Sequence, residues 1–144
     1  MNKSNATGKR TRSRVLVIQA LYQVQLTDHS KAELIAQFHD RPEYERVDQE
    51  YFDEALAAIM DSRESLQENI GSYADRPVNQ LDPVELALLQ LGFYELESRI
   101  DVPYRAVINE AVNLAKRFGA LDGHKYINAV LDRASKSLRP EETS

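Results

Sequence analysis

Cysteine is absent from this 144-residue chain. That excludes disulfides, thiolate nucleophiles and cysteine-ligated zinc, and it fits a reducing cytoplasm. Glycine and proline are scarce, with five of each, and no strand-like alternation bounded by turn pairs occurs, so a β-rich fold is not expected. No run reaches the roughly 18 apolar residues that a membrane-spanning helix requires, so no membrane association is expected. Residues 1–14 are basic but lack the apolar stretch that follows the basic region of a secretory signal. What is present is 42% hydrophobic and 28% charged, the balance of a globular domain able to bury its own core.

The net charge of -5 conceals a strong polarity. Residues 1–14 carry Lys3, Lys9, Arg10, Arg12 and Arg14 and no acid. Residues 28–98 carry 17 acids against 5 bases, and residues 99–140 return to 8 bases against 4 acids. A local basic patch attracts polyanions even on an acidic protein. A solvated basic arm with no partner is the plainer alternative.

Helical periodicity dominates the rest. A first helix is predicted over residues 11–26, with no charge between Val15 and Thr27. Its apolar side chains face most ways, which marks a central helix packed on two sides, or one with a partner protein on one side. A short helix over residues 31–39 should break near Arg41-Pro42. A third is expected to begin after a capping Asp48, to carry Phe52, Ala55, Leu56, Ile59, Leu66 and Ile70, and to stop at Gly71. The sharpest local signal follows: Asp82 as a cap, Pro83 at the first helical position, Glu85 closing a capping box, and Leu81 with Leu86 as a staple. Further helices are predicted from Pro103 to a stop at Gly119, and after Asp122 to about Leu138. The expectation is an all-α bundle of about six or seven helices in one domain. A flexible basic arm (about residues 1–10) and a loose tail (about residues 139–144) should flank it.

Catalytic patterns are missing. His29, His39 and His124 have no metal-ligand spacing. Gly8-Lys9 has no phosphate-loop glycine before it, and Arg10 stands where Ser or Thr belongs. No nucleophile motif surrounds any serine, and Glu43 with Glu45 reads as a solvated face. A binding protein is expected, not an enzyme.

Two stretches are more specific than helical pattern. Residues 14–22, RVLVIQALY, follow spaced arginines. The second runs through DVPYRAVINEAV (101–112) and AKRFGA (115–120) to HKYINAVLD (124–132). Together they closely resemble the NusB family of bacterial transcription antitermination factors, and residues 82–96 look like that family's preceding helix. The resemblance spans residues 10–138. It implies an all-α fold of two packed helical subdomains, with no cofactor and no metal. It also implies binding of boxA-type RNA together with NusE, a small-subunit ribosomal protein, within the antitermination complex with RNA polymerase. The RNA-binding residues it implies are Arg10, Arg12, Arg14, Gln19, Asp122, Lys125 and Tyr126. The partner-binding residues are Tyr22 and Glu85. Thr11 and Ser13 interrupt the arginine run, and Ala129 stands where the family usually has glycine.

The residues themselves agree with this chemistry. Arginines at a helix entrance contact phosphates and give salt-dependent affinity. Unstacked bases of single-stranded RNA stack on aromatic rings, and Tyr126 beside Lys125 offers a ring and a phosphate contact. Asp122 serves either as a helix cap or as an acceptor for a base. Two other functions stay open: an RNA-recognition module akin to those of ribosomal RNA methyltransferases, and a protein-interaction scaffold without RNA. A homodimer also stays open.

Overall fold

A computed structural model describes residues 3–118 and 122–144, with the backbone alone over residues 3–7. The described residues form eight α-helices and two 3-10 turns, with no strand. The helices are α1 (Lys3–Leu26), α2 (Lys31–His39), α3 (Gln49–Asp61), α4 (Arg63–Tyr73), α5 (Pro83–Ser98), α6 (Tyr104–Arg117), α7 (Gly123–Leu138) and α8 (Pro140–Thr143). The 3-10 turns span Pro42–Arg46 and Val78–Gln80. The fold is all-α, as expected. The chain divides into two compact units, Met1–Asp61 and Ser62–Ser144.

In the first unit α1 packs on α2 and α3. Burial of Leu16, Val17, Ile18, Ala20, Leu21 and Val24 runs round most of α1, while Tyr22 and Leu26 stay exposed. Phe38 of α2 and Phe52 of α3 are fully buried, their ring centroids 6.1 Å apart. Ser30 and Glu33 cap α2 reciprocally, each side chain accepting from the other's backbone N–H, which satisfies donors the helix start would otherwise leave orphaned. Asp48 caps α3 as expected, accepting from the Tyr51 N–H at 3.1 Å.

The helix start differs from expectation. α1 begins at Lys3, so residues 3–10, read as an arm, continue the helix. A packed helix extends readily through residues without a breaker, because each added residue gains a hydrogen bond. A lock also holds this part of α1: the Lys9 carbonyl accepts from the Asp48 N–H at 3.3 Å. The Ser13 hydroxyl lies 3.1 Å from the Lys9 carbonyl and 2.8 Å from that of Asp48.

The expected third helix is two helices. Ser62 leaves the helical region at φ -120°, ψ 26°, and Asp61-Ser62 is a pair that competes poorly for helix. Ile59 and Leu66 are seven residues apart, so their phase matches across the break and sequence periodicity could not reveal it. Gly71 does not stop the chain either. α4 continues to Tyr73 and ends where Ala74 turns extended at ψ 144°.

In the second unit, every residue of α5 from Glu85 to Leu96 is buried, and α6 and α7 pack on it. Its start matches the reading. Asp82 Oδ1 accepts from the N–H groups of Val84 at 2.8 Å and Glu85 at 3.4 Å, and Glu85 Oε1 accepts from the Asp82 N–H at 3.3 Å. Gly92 lets α7 approach, since a Cβ there would lie 2.8 Å from Leu131 Cδ2. α6 starts after Pro103 as read, and the expected stop at Gly119 lies outside the described residues.

The tail is not loose. Arg139 is buried, and its guanidinium donates to the carbonyls of Leu96 (2.6 Å), Glu95 (3.0 Å) and Arg99 (2.9 Å). The Leu96 carbonyl lies in the last turn of α5, where helical partners run out, whereas the Glu95 and Arg99 carbonyls also accept from the N–H groups of Arg99 and Val102. Arg139 also pairs with Glu142, whose other oxygen accepts from the Tyr104 N–H at the start of α6 at 3.3 Å. The one-turn α8 follows from this clasp.

Candidate nucleic-acid interface

Five of the residues read from sequence lie on α1. Arg12 and Gln19 are exposed, Arg10 is intermediate, and Arg14 is buried. Arg10 and Arg14 share the Tyr51 ring, their guanidinium carbons 5.2 and 5.5 Å from its centroid. Arg10 also forms an ion pair with Asp48 at 3.6 Å. The three arginines are therefore not equivalent: Arg12 faces water, whereas Arg14 is committed to the interior. Tyr22 is 41% exposed and Leu26 63%, one helical turn apart, which makes an apolar strip at the C-terminal end of α1.

The remaining residues lie in the second unit. Lys125 is exposed in the first turn of α7, and Tyr126 is half-buried beside it. Asp122 is exposed and makes no side-chain cap, against the expectation that it caps α7. Its backbone lies at φ -104°, ψ -2°, away from the extended conformation a capping residue usually takes. Its carbonyl accepts from the Lys125 N–H at 3.2 Å.

Glu85 is 7% exposed. One of its oxygens closes the α5 capping box and also lies 3.7 Å from Arg76 Nη1. Arg76, which sequence reading missed, sits between α4 and the second 3-10 turn. Its guanidinium carbon lies 3.9 Å from the Tyr126 ring centroid, so it joins Glu85 to Tyr126. Burial raises the Tyr126 phenol pKa against the pull of the Arg76 charge. No sequence signal could pair a loop arginine with a ring fifty residues downstream.

The histidines carry no metal chemistry that the described residues support, since no group of three His, Cys, Asp or Glu side chains could hold an ion among them. His39 pairs with Asp53 at 2.7 Å and stacks on Tyr44 with centroids 4.3 Å apart. The Tyr44 hydroxyl donates toward the same carboxylate at 2.9 Å, and burial with that bond pushes its pKa up to about 12. This cluster ties α2, the first 3-10 turn and α3 together.

Residues 11–136 match the family model described as the NusB family. The chain belongs to the NusB family. It is 46% identical over 134 residues to a transcription antitermination protein NusB of Paraburkholderia phymatum, covering 93% of this chain and 92% of the relative. The NusB of Alcanivorax borkumensis is 43% identical over 144 residues, covering 100% and 96%. A solved structure of T. maritima NusB superposes with a TM-score of 0.83 at 29% identity, covering 93% of this chain and 95% of that one. This NusB-family chain thus shares both the sequence and the helical architecture of proteins named for transcription antitermination. Among its described residues no helix is long and apolar enough to cross a membrane.

Proposed function

We propose that this chain is a transcription antitermination factor that binds boxA-type single-stranded RNA together with NusE, within the complex that RNA polymerase carries. It acts by binding and not by turnover. The observation that carries the reading is full-length similarity to proteins named as transcription antitermination protein NusB. The local chemistry supports it. Exposed Arg12 on α1 and exposed Lys125 on α7 supply cations for phosphates, and Tyr126 supplies a ring for base stacking. Asp122 and Gln19, both exposed, are free of the core and suited to base edges.

The NusE dock is proposed at Tyr22 with its neighbour Leu26, a strip whose apolar exposure suits a protein partner. Glu85 contributes through the cap it completes more than through open surface. Titrating a boxA-type RNA and a scrambled control, each with and without NusE, tests the reading. Preference for the boxA sequence that sharpens with NusE supports it, and equal weak binding of both RNAs refutes it. Within that assay Tyr126→Ala should cost roughly 1–3 kcal/mol of RNA affinity, the usual worth of one stacked base.

A further inference from the structure

Arginines in the second unit fall into two kinds. Arg139 is 6% exposed and its guanidinium is used by three carbonyls and a carboxylate. Arg133 binds the Tyr73 carbonyl with both Nε (3.1 Å) and Nη2 (2.8 Å), which already fastens the end of α4 to α7. Arg76, three residues beyond Tyr73, is not needed for that. Its side chain is 43% exposed, and its ion pair with Glu85 is long at 3.7 Å. A guanidinium carries five N–H donors in a planar fork, and the Tyr126 ring with one distant carboxylate leaves part of that fork open to water.

We propose that Arg76 is an RNA-contacting residue. Its guanidinium, lying on the Tyr126 ring at 3.9 Å, forms the upper layer of a two-layer platform that takes a nucleobase on its outer face and a phosphate on its edge. The inference rests on the RNA-binding reading above. The ring attracts the guanidinium through its quadrupole, so the group is positioned before RNA arrives and little side-chain entropy is lost on binding. Arginine planes stack unpaired bases as aromatic rings do. Exposed Lys125, next to Tyr126 in the chain, adds a second cation for the same backbone. Glu85 sets the strength of the site: while its carboxylate faces Arg76, part of the cation's attraction for phosphate is neutralised.

The test is a set of variants titrated with a fluorescent boxA-type RNA over a range of salt, with thermal melts as the check on folding. Arg76→Gln should weaken binding on the order of tenfold and lower the salt slope by about 0.7 log units, as expected for one lost single-strand phosphate contact. Arg76→Lys keeps the charge without the plane, so it should restore the slope but not the affinity. Glu85→Gln retains a capping-box side chain and frees the guanidinium, so it should tighten binding and steepen the slope. Adding Arg76→Gln should abolish that gain. Wild-type affinity and slope in Arg76→Gln, or a gain from Glu85→Gln that survives in the double variant, overturns the proposal while leaving the RNA reading intact. Wild-type protein that fails to bind the RNA overturns both.

Discussion

Arg14 lies 5.5 Å from the Tyr51 ring centroid and is 5% exposed, whereas Arg12, half a turn away, is exposed. Arg10 and Arg14 are one helical turn apart and share a face, which turns Arg12 outward. Arg14→Ala should therefore destabilise the fold by about 2 kcal/mol, the upper range for a desolvated cation–π contact together with its packed stem. Thermal or urea melts check it. Arg12→Ala should leave the melt unchanged and weaken RNA binding with a shallower salt slope. An Arg14→Ala variant with wild-type stability would show that the Tyr51 contact contributes little. The arginines could be read from sequence as cations, but not which of them the interior would take. That depends on Tyr51, which only the fold brings to α1. For the same reason Tyr126 could be singled out as a stacking ring while Arg76, its covering cation, could not.

Elements whose ends are written in short-range chemistry were the most legible. Asp82-Pro83-Val84-Glu85 specifies a cap, a first turn and a box within four residues, and the structure has each of them. The α3–α4 break was hidden because the apolar phase runs through it, and the α8 turn was hidden because its cause is a contact with α5 more than forty residues earlier. Close approach between helices is likewise invisible in one dimension. A methyl group at position 92 would lie 2.8 and 3.0 Å from the two Leu131 methyls, in a region with Leu131 fully buried. Gly92→Ala should destabilise by about 1–3 kcal/mol, as overpacking does. Leu131→Ala, harmful alone, should cost less in the Gly92→Ala background. Urea melts of the four proteins measure the coupling, and strict additivity would refute the clash.

The clasp at α8 also has an acid limit. The bond from Arg139 is the main cause that holds the Glu142 pKa below its ordinary 4.5. A depressed carboxylate pKa contributes stability that is present above the unfolded value and lost as pH falls through the folded one. The tail should therefore hold at neutral pH and loosen below about pH 4.5, earlier than unfolding of the helices. Glu142→Gln should remove that step. The exchange protection factor of the Tyr104 amide, which donates to this carboxylate, reports it, and a factor that stays constant from neutral pH to below pH 4.5 would count against the clasp.

At the scale of the whole molecule, the charge polarity so clear along the chain does not follow the two units. The acid-rich middle is divided at Asp61, leaving ten acids and eight bases in the first unit and thirteen acids and ten bases in the second. Charge read by sequence position thus does not predict where the chain divides. Family resemblance carried the expectation of two subdomains, because nothing in composition separates them.

Arg139 reaches back 43 residues to the carbonyl of Leu96, which sets an order of events on the ribosome. The first unit is complete once Asp61 and its neighbours have emerged, and domains generally fold in the order they are made. α5 emerges later, but the carbonyl of Leu96 in its last turn waits for a side chain that is synthesised after all of α6 and α7. The second unit is thus held open until nearly its whole length is outside. Nascent chains stalled with Arg139 inside or outside the exit tunnel should show the same protease resistance over residues 1–61. Only those with Arg139 outside should protect residues 62–138, and equal protection in both would mean that the unit closes without its clasp.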